Sequence, residues 1–194
     1  MKKKKIKYSL AILVSLVLVF IYAKSVYSTN KNVSSPKENI HGMQEELLVP
    51  RSQDLFFQVT KASLLNSSEV EEILPDFYES SKDAGLEYAM VLLTLNVQNN
   101  SNEPQSIENL KYAVLTMNNN YTNGLALEPA IELNENNFPD EVPPNQSEEI
   151  IFAYGLTKIN LKKKIYENLR EQEFYLTFQL SPEIERVQLS FVSK

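Results

Sequence analysis

The chain has 194 residues, a formal net charge of −6, and neither cysteine nor tryptophan. Without cysteine there is no disulfide framework, no thiolate nucleophile, no cysteine zinc site and no lipid-modified cysteine behind a signal. Residues 1–24 hold six lysines and no acid; residues 25–194 have 13 basic and 25 acidic residues, a net of −12, which argues against nucleic acid as a partner.

Lys2, Lys3, Lys4, Lys5 and Lys7 precede an uncharged apolar stretch at residues 8–23. A basic block before such a stretch is an export signal, and its length lies between the apolar core of a cleaved signal and the about 17–25 residues of a membrane helix. Residues 1–23 therefore read as a signal anchor or a signal peptide, with Lys24 and the length of the run favouring the anchor. The positive-inside bias keeps the lysines in the cytoplasm. The expected location is the cell membrane, with the rest of the chain outside, or secretion if the signal is cleaved. Residues 24–51, rich in Ser, Asn and Lys, read as a flexible tether reaching roughly 30 Å. His41, the only histidine, is expected there as a solvated linker residue.

Residues 52–194 read as the folded domain, long enough to rely on its own core. Leu55, Phe57 and Val59 alternate with Phe56, Gln58 and Thr60, predicting a strand over residues 54–62. Residues 67–83 read as an acidic excursion, a loop or a short helix ending at Leu74, because Pro75 disfavours helical geometry in the residue before it. Residues 87–102, EYAMVLLTLNVQNNSN, predict the central strand: Val91, Leu93, Leu95 and Val97 share one face, and the other turns polar toward the Asn-rich end. Further strands are predicted at 110–117, 150–154, 174–180 and 186–192, with Asn123-Gly124 as a hairpin turn. Leu161, Ile165 and Leu169 fall at helical spacing and predict an amphipathic helix within residues 156–173. The class is mainly β: an antiparallel sandwich of about seven strands with one helical insertion, preceded by an N-terminal membrane helix.

A lysine-led export segment, a Ser/Asn tether, Gly85-x-Glu87-Tyr88 running into LLTLNVQNNSNEPQSI, and later VPPNQSEEIIFAYGL together resemble the uncharacterised immunoglobulin-like (telokin-like) extracytoplasmic domains of Gram-positive bacteria. The resemblance covers residues 52–194 and implies an immunoglobulin-like sandwich with no catalytic residues to carry over. Pro144-Asn145 stands where those domains have proline-glycine, and the helical segment at 156–173 is longer than theirs.

The domain has few residues suited to chemistry. With its one histidine in the expected tether, a Ser-His-Asp hydrolase or a histidine metal site is excluded for the folded part. Met43, Met90 and Met117 suit Cu(I) as thioethers, but core filling explains them better. Glu128, Glu132, Glu135, Asp140 and Glu141 lack a calcium-loop spacing and read as a solvated acidic stretch. No cofactor and no metal site is expected. Lys158, Lys162, Lys163 and Lys164 form the one basic cluster of an acidic domain; they could contact an anionic surface, or simply solvate a helix face. The expected function is a non-enzymatic, membrane-tethered extracytoplasmic module. It would hold the membrane through residues 8–23 and bind a protein or envelope component through strand edges and loops. The alternative is an envelope enzyme or carrier acting on a small molecule or glycan through carboxylates.

Overall fold

The computed structural model describes residues 15–28, 36–118, 121–135 and 137–191. The chain divides into a unit up to Pro36 and a unit from Lys37 onward. In the first, residues 15–28 are helical (α1). No helix among the described residues is long and apolar enough to cross a membrane, and residues 8–14 of the expected membrane segment lie outside those described.

The second unit is a mainly β, sandwich-like fold whose widest sheet contacts come from three long strands. β3 (Leu55–Leu65), β4 (Tyr88–Asn99) and β9 (Ser147–Thr157) run antiparallel, with β4 in the middle and the short β2 (Leu47–Leu48) beside β3. Val91, Leu93, Leu95 and Val97 of β4 are all fully buried, as the alternation predicts, and Leu93 lies between Ala62 and Phe152 of the flanking strands. In β3 the register shifts between Val59 and Lys61. This bulge moves the inward set from Leu55, Phe57 and Val59 to Ala62 and Leu64, all buried, so one extra residue keeps the apolar side facing the core across the kink.

The facing sheet has five strands in the order β1 (Glu38–His41), β11 (Ile184–Leu189), β10 (Phe174–Gln179), β6 (Val114–Met117) and β7 (Thr122–Asn123). Leu115, Phe174, Leu176 and Val187 close the same cluster as Phe57, Leu93 and Phe152. At about 25 cal/mol per Å² of apolar surface, each such side chain contributes roughly 1.5–3 kcal/mol. A third, two-stranded sheet pairs β5 (Gln105–Ser106) with β8 (Glu141–Val142). Buried Asn99 fastens it: its Nδ2 donates to the carbonyls of Glu103, Val142 and Pro143.

A second, smaller core of Leu65, Val70, Leu74, Met90, Ala130 and Ala153 joins α2 (Ser67–Ile73), α5 (Leu127–Leu133) and the long strands. Asn66 and Glu69 form a capping box that starts α2. Leu74 is non-helical, as the following proline requires, and Pro75 then opens α3 (Pro75–Asp83) from its first position. α3 ends in a Schellman arrangement: Gly85 N–H bonds to Lys82 O and Leu86 N–H to Ser81 O. Gly85 has φ 72°, a value that a side chain there would strain.

Several sequence expectations change. Among the described residues of this unit there are eleven strands in three sheets rather than about seven. Residues 37–51, expected in the tether of residues 24–51, belong to the folded unit and supply β1 and β2. The strand expected over 110–117 begins with a turn of helix, α4 (Glu108–Lys111). Asn123-Gly124 is not the hairpin turn, because Asn123 sits in β7 and its side-chain amide donates to Gly155 O. The helix expected within 156–173 is reduced to α6 (Lys163–Tyr166) and a 3-10 turn at Leu169–Glu171, with β9 claiming Leu156 and Thr157. Leu161 and Leu169 are buried and Ile165 half-buried all the same, so the stripe anchors two short turns rather than one helix. Asn145, in the position of the expected glycine, adopts φ 53°, and asparagine tolerates that conformation better than most residues.

Candidate functional site

The two long strands that flank β4 in the four-stranded sheet finish differently on their far sides. Along β9, Asn134 accepts from Ile151 N–H with Oδ1 at 2.9 Å and donates from Nδ2 to Ile151 O at 2.8 Å, copying a strand partner with one side chain. Ala126 N–H donates to Ala153 O at 2.8 Å, and Asn123 reaches Gly155 O. The β9 edge is thereby closed at every second residue from Ile151 to Gly155.

On β3 the edge is closed only up to the bulge. Val49 N–H donates to Leu55 O, β2 pairs with Phe56 and Phe57, Gln44 N–H donates to Val59 O at 3.1 Å, and Gln44 Nε2 to Thr60 O at 2.6 Å. From residue 61 to residue 65, no strand pairs with the outer side of β3 among the described residues.

Next to the end of this open stretch lies a cleft of about 430 Å³, walled by residues 64–68, Glu87, Ala89 and residues 166–171. Its walls mix Leu64, Leu65 and Leu169 with the carboxylates of Glu87, Glu167 and Glu171 and the guanidinium of Arg170. Ser67 Oγ donates to Tyr88 O at 2.8 Å, tying the start of α2 to β4. Tyr166 is half-buried, and burial, ahead of its neighbours' opposing effects, pushes its phenol above the usual range.

The four lysines of the basic cluster are not brought together by mutual packing. Lys158 pairs with Glu87 and lies 5.4 Å from the Tyr166 ring centre, placing it on the rim of the cleft; the Glu87 hydrogen bond raises its pKa. Lys163 pairs with Glu167 at 3.7 Å across one helical turn. Lys162 and Lys164 are exposed and make no ion pair among the described residues.

His41 is not a solvated linker residue. It ends β1, half-buried, with Nε2 2.7 Å from Glu185 and Nδ1 3.3 Å from Glu45. The sequence reading missed it because neither ENIH nor its surroundings alternate in hydrophobicity; β1 pairs parallel to β11 through its backbone and through polar side chains. Asn39 Nδ2 donates to Glu183 and Glu185, and Arg186 pairs with Glu38 at 2.7 Å.

The remaining candidates are dispersed. Met90 lies in the smaller core and Met117 in the main one, while Met43 packs against the main core and accepts from Ser190 N–H. Of the acidic stretch, Glu128 and Glu132 ride on α5, Glu141 is in β8, and Asp140 pairs with Lys111 at 2.6 Å, which holds its carboxyl below the usual range. No group of three or more histidines and carboxylates placed to hold a metal occurs among the described residues.

No family model matches the chain, and no curated protein does either. Among solved structures it is similar to an uncharacterized β-sandwich protein from Clostridium difficile 630, with 8% identity, TM-score 0.49, and coverage of 82% of this chain and 99% of that one. It is also similar to a conserved hypothetical protein from Bacillus anthracis (11% identity, TM-score 0.44, 79% and 99% covered). A third likeness is to a functionally unknown protein from Listeria monocytogenes EGD-e (12% identity, TM-score 0.41, 78% and 85% covered). At these scores the functional argument rests on the site itself.

Proposed function

We propose that this protein is a non-enzymatic interaction module of the cell envelope, held at the outer face of the membrane by its N-terminal segment, which binds an extended segment of a protein partner along β3. The observation that carries the reading is the unpaired outer side of β3 at residues 61–65, ending beside a cleft of about 430 Å³. A strand edge that no other strand pairs is a template for an added strand, and an adjoining pocket lets one partner side chain confer specificity; on this stretch Lys61 is exposed and Ser63 half-buried, while Ala62, Leu64 and Leu65 are buried.

The membrane part rests on Lys2 to Lys7 and the uncharged residues 8–23. The immunoglobulin-like part is supported by connectivity: β4 pairs with β9 in one sheet, β6, β10 and β11 neighbour one another in the other, and β1 adds parallel to β11. The carboxylates of the cleft favour recognition over acid–base chemistry. Two of the three are ion-paired to lysines, whereas a catalytic pair keeps one carboxyl protonated in an apolar setting.

The test uses Ser68→Trp, because Ser68 is exposed on the cleft wall and an indole there fills the pocket. Full-length wild type and variant, tagged at the C-terminus, are exposed to envelope extract, and retained proteins are compared while amide exchange is followed at residues 61–65. Wild type should retain a partner and gain protection at those residues. The variant should melt within about 0.5 kcal/mol of wild type and bind at least about tenfold more weakly, a loss of about 1.4 kcal/mol. Equal retention by both proteins, or protection gained elsewhere, would contradict the assignment.

A further inference from the structure

Residues 42–46, which cover Val59 and Thr60 on the β3 edge, are held by Met43, which packs against the main core and accepts from Ser190 N–H, and by an ion-paired histidine. His41 presents both ring nitrogens to carboxylate oxygens, Nε2 to Glu185 at 2.7 Å and Nδ1 to Glu45 at 3.3 Å. A neutral imidazole has one N–H and one lone pair, so it would satisfy one carboxylate and direct its lone pair at the other. Only the imidazolium donates to both.

Glu45 is tied again: its second carboxylate oxygen accepts from Gly42 N–H at 2.7 Å, closing the turn after β1. Between these anchors Gln44 bonds to β3 through its N–H to Val59 O and its side chain to Thr60 O, and it accepts from the Gln58 side chain. Gln44 does this at φ 72°, a left-handed conformation that a residue with a side chain keeps only when its surroundings enforce it.

We propose that residues 42–46 are a proton-dependent strap: protonated His41, bridging Glu45 to Glu185, holds them over the edge of β3, and loss of that proton lets them lift, extending the open edge from residue 61 back to Val59. The value of the longer edge rests on the reading of β3 as the partner's site; the strap itself does not.

The charges around His41 are accounted for on each neighbouring element. Just before β1, Lys37 pairs with Glu183 at 3.2 Å, and on β1 Glu38 pairs with Arg186. On β11 and the turn before it, Glu185 also accepts from Asn39, and Glu183 is held below its usual range by Asn39 and then Lys37. β10 contributes the neutral ring of Phe178 at 6.1 Å and Tyr175, whose phenol is raised mainly by burial. Within the strap stands Glu45, lowered first by Gly42 N–H and then by His41, with Glu46 beside it; on β3, Lys61 follows Thr60.

Burial by itself would lower the His41 pKa, but hydrogen bonds and charge from Glu185 and Glu45 outweigh it and raise the value above 6.5. A raised histidine stabilises fully below its unfolded value and stops doing so as pH rises through the folded value. The lowered Glu45 acts at the other limit, contributing above its ordinary value and losing that contribution as pH falls through its folded one. The strap is therefore tightest between the two and loosens upward from about pH 6.5.

Because the chain has one histidine, its ring C–H resonances in the full-length protein titrate without ambiguity. The expected midpoint lies above 6.5, and Glu45→Gln lowers it. The amide protection factor of Gln44 should fall as pH rises from the free-histidine value to that midpoint and level off above it, by about tenfold for each unit between the two. In His41→Gln the Gln44 amide should be poorly protected at every pH, with no step, while protection of β4 stays intact and shows the sandwich folded. A midpoint at or below 6.5, or Gln44 protection that ignores the titration, would overturn the strap. No partner takes part in these measurements, so failure of the docking reading and failure of the strap are separable.

Discussion

β9 and β3 are the outer long strands of one sheet, pack on the same central strand and bury the same kind of residue, yet their free sides are treated in opposite ways. β9 is closed by side chains and a single backbone amide, all from residues 123–134. β3 is closed by a strap from upstream of it, and only as far as the bulge. An unpaired edge invites association with other chains, and proteins commonly cover, charge or kink such edges. Here both sides of one sheet meet that hazard, and the bulge in β3 marks the place where cover stops. The difference teaches that the open stretch is local: it is set by where the strap ends, not by a shortage of sheet.

The largest expected effect removes the support common to both edges. Leu93 is fully buried between Ala62 and Phe152, and Leu93→Ala should cost about 2–5 kcal/mol, the transfer and cavity terms together. Chemical denaturation gives the magnitude. Amide exchange tests the comparison, because protection at Gln44 on the β3 side and Ile151 on the β9 side should fall together. Loss on one side only would mean that the edges are held independently of β4.

A smaller and more selective effect comes from Asn134→Ala. Asn134 makes three hydrogen bonds, to Ala130 O at 2.6 Å and to both backbone groups of Ile151. It is only half-buried, so water replaces part of what is lost, and the expected cost is about 1–2 kcal/mol. The telling outcome is at the edge: the variant should expose Ile151 N–H to rapid exchange and self-associate at concentrations where wild type does not. An unchanged Ile151 exchange rate would show that residues 123–126 close β9 without it.

How much of this contrast the sequence carries depends on where the determining residues lie. Val91, Leu93, Leu95 and Val97, which the alternation puts on one face, are buried, because a strand with one buried face writes its burial into every second residue. β1 and β2 left no such trace. Glu38, Asn39 and His41 are polar, and their strand character comes from β11 and its acidic side chains far along the chain. The cleft is less legible still, being assembled from residues 64–68, 87, 89 and 166–171, none of which signals a site alone. The end of the Leu161 stripe misled for a related reason. Buried residues at helical spacing satisfy a short turn, a break at Asn168 and a second turn as well as one helix.

The smallest expected effect concerns the basic cluster, which meets the cleft through the pairs Lys158–Glu87 and Lys163–Glu167. If Lys158, Lys162, Lys163 and Lys164 served an anionic surface as a unit, replacing all four with glutamine should abolish binding to anionic vesicles, and wild-type binding should fall steeply with salt. The geometry argues for a slight effect. Glu87 and Glu167 already neutralise Lys158 and Lys163, and the opposed charges leave little net attraction for a membrane beyond Lys162 and Lys164. The quadruple variant should therefore bind such vesicles as weakly as wild type at low salt. Lys158→Gln alone should act elsewhere: it leaves Glu87 without its cation on the cleft wall, so partner binding at β3 should change while vesicle binding does not. A quadruple variant that loses strong, salt-sensitive vesicle binding would instead make the cluster the docking surface, and the contrast between the two edges would lose its functional meaning.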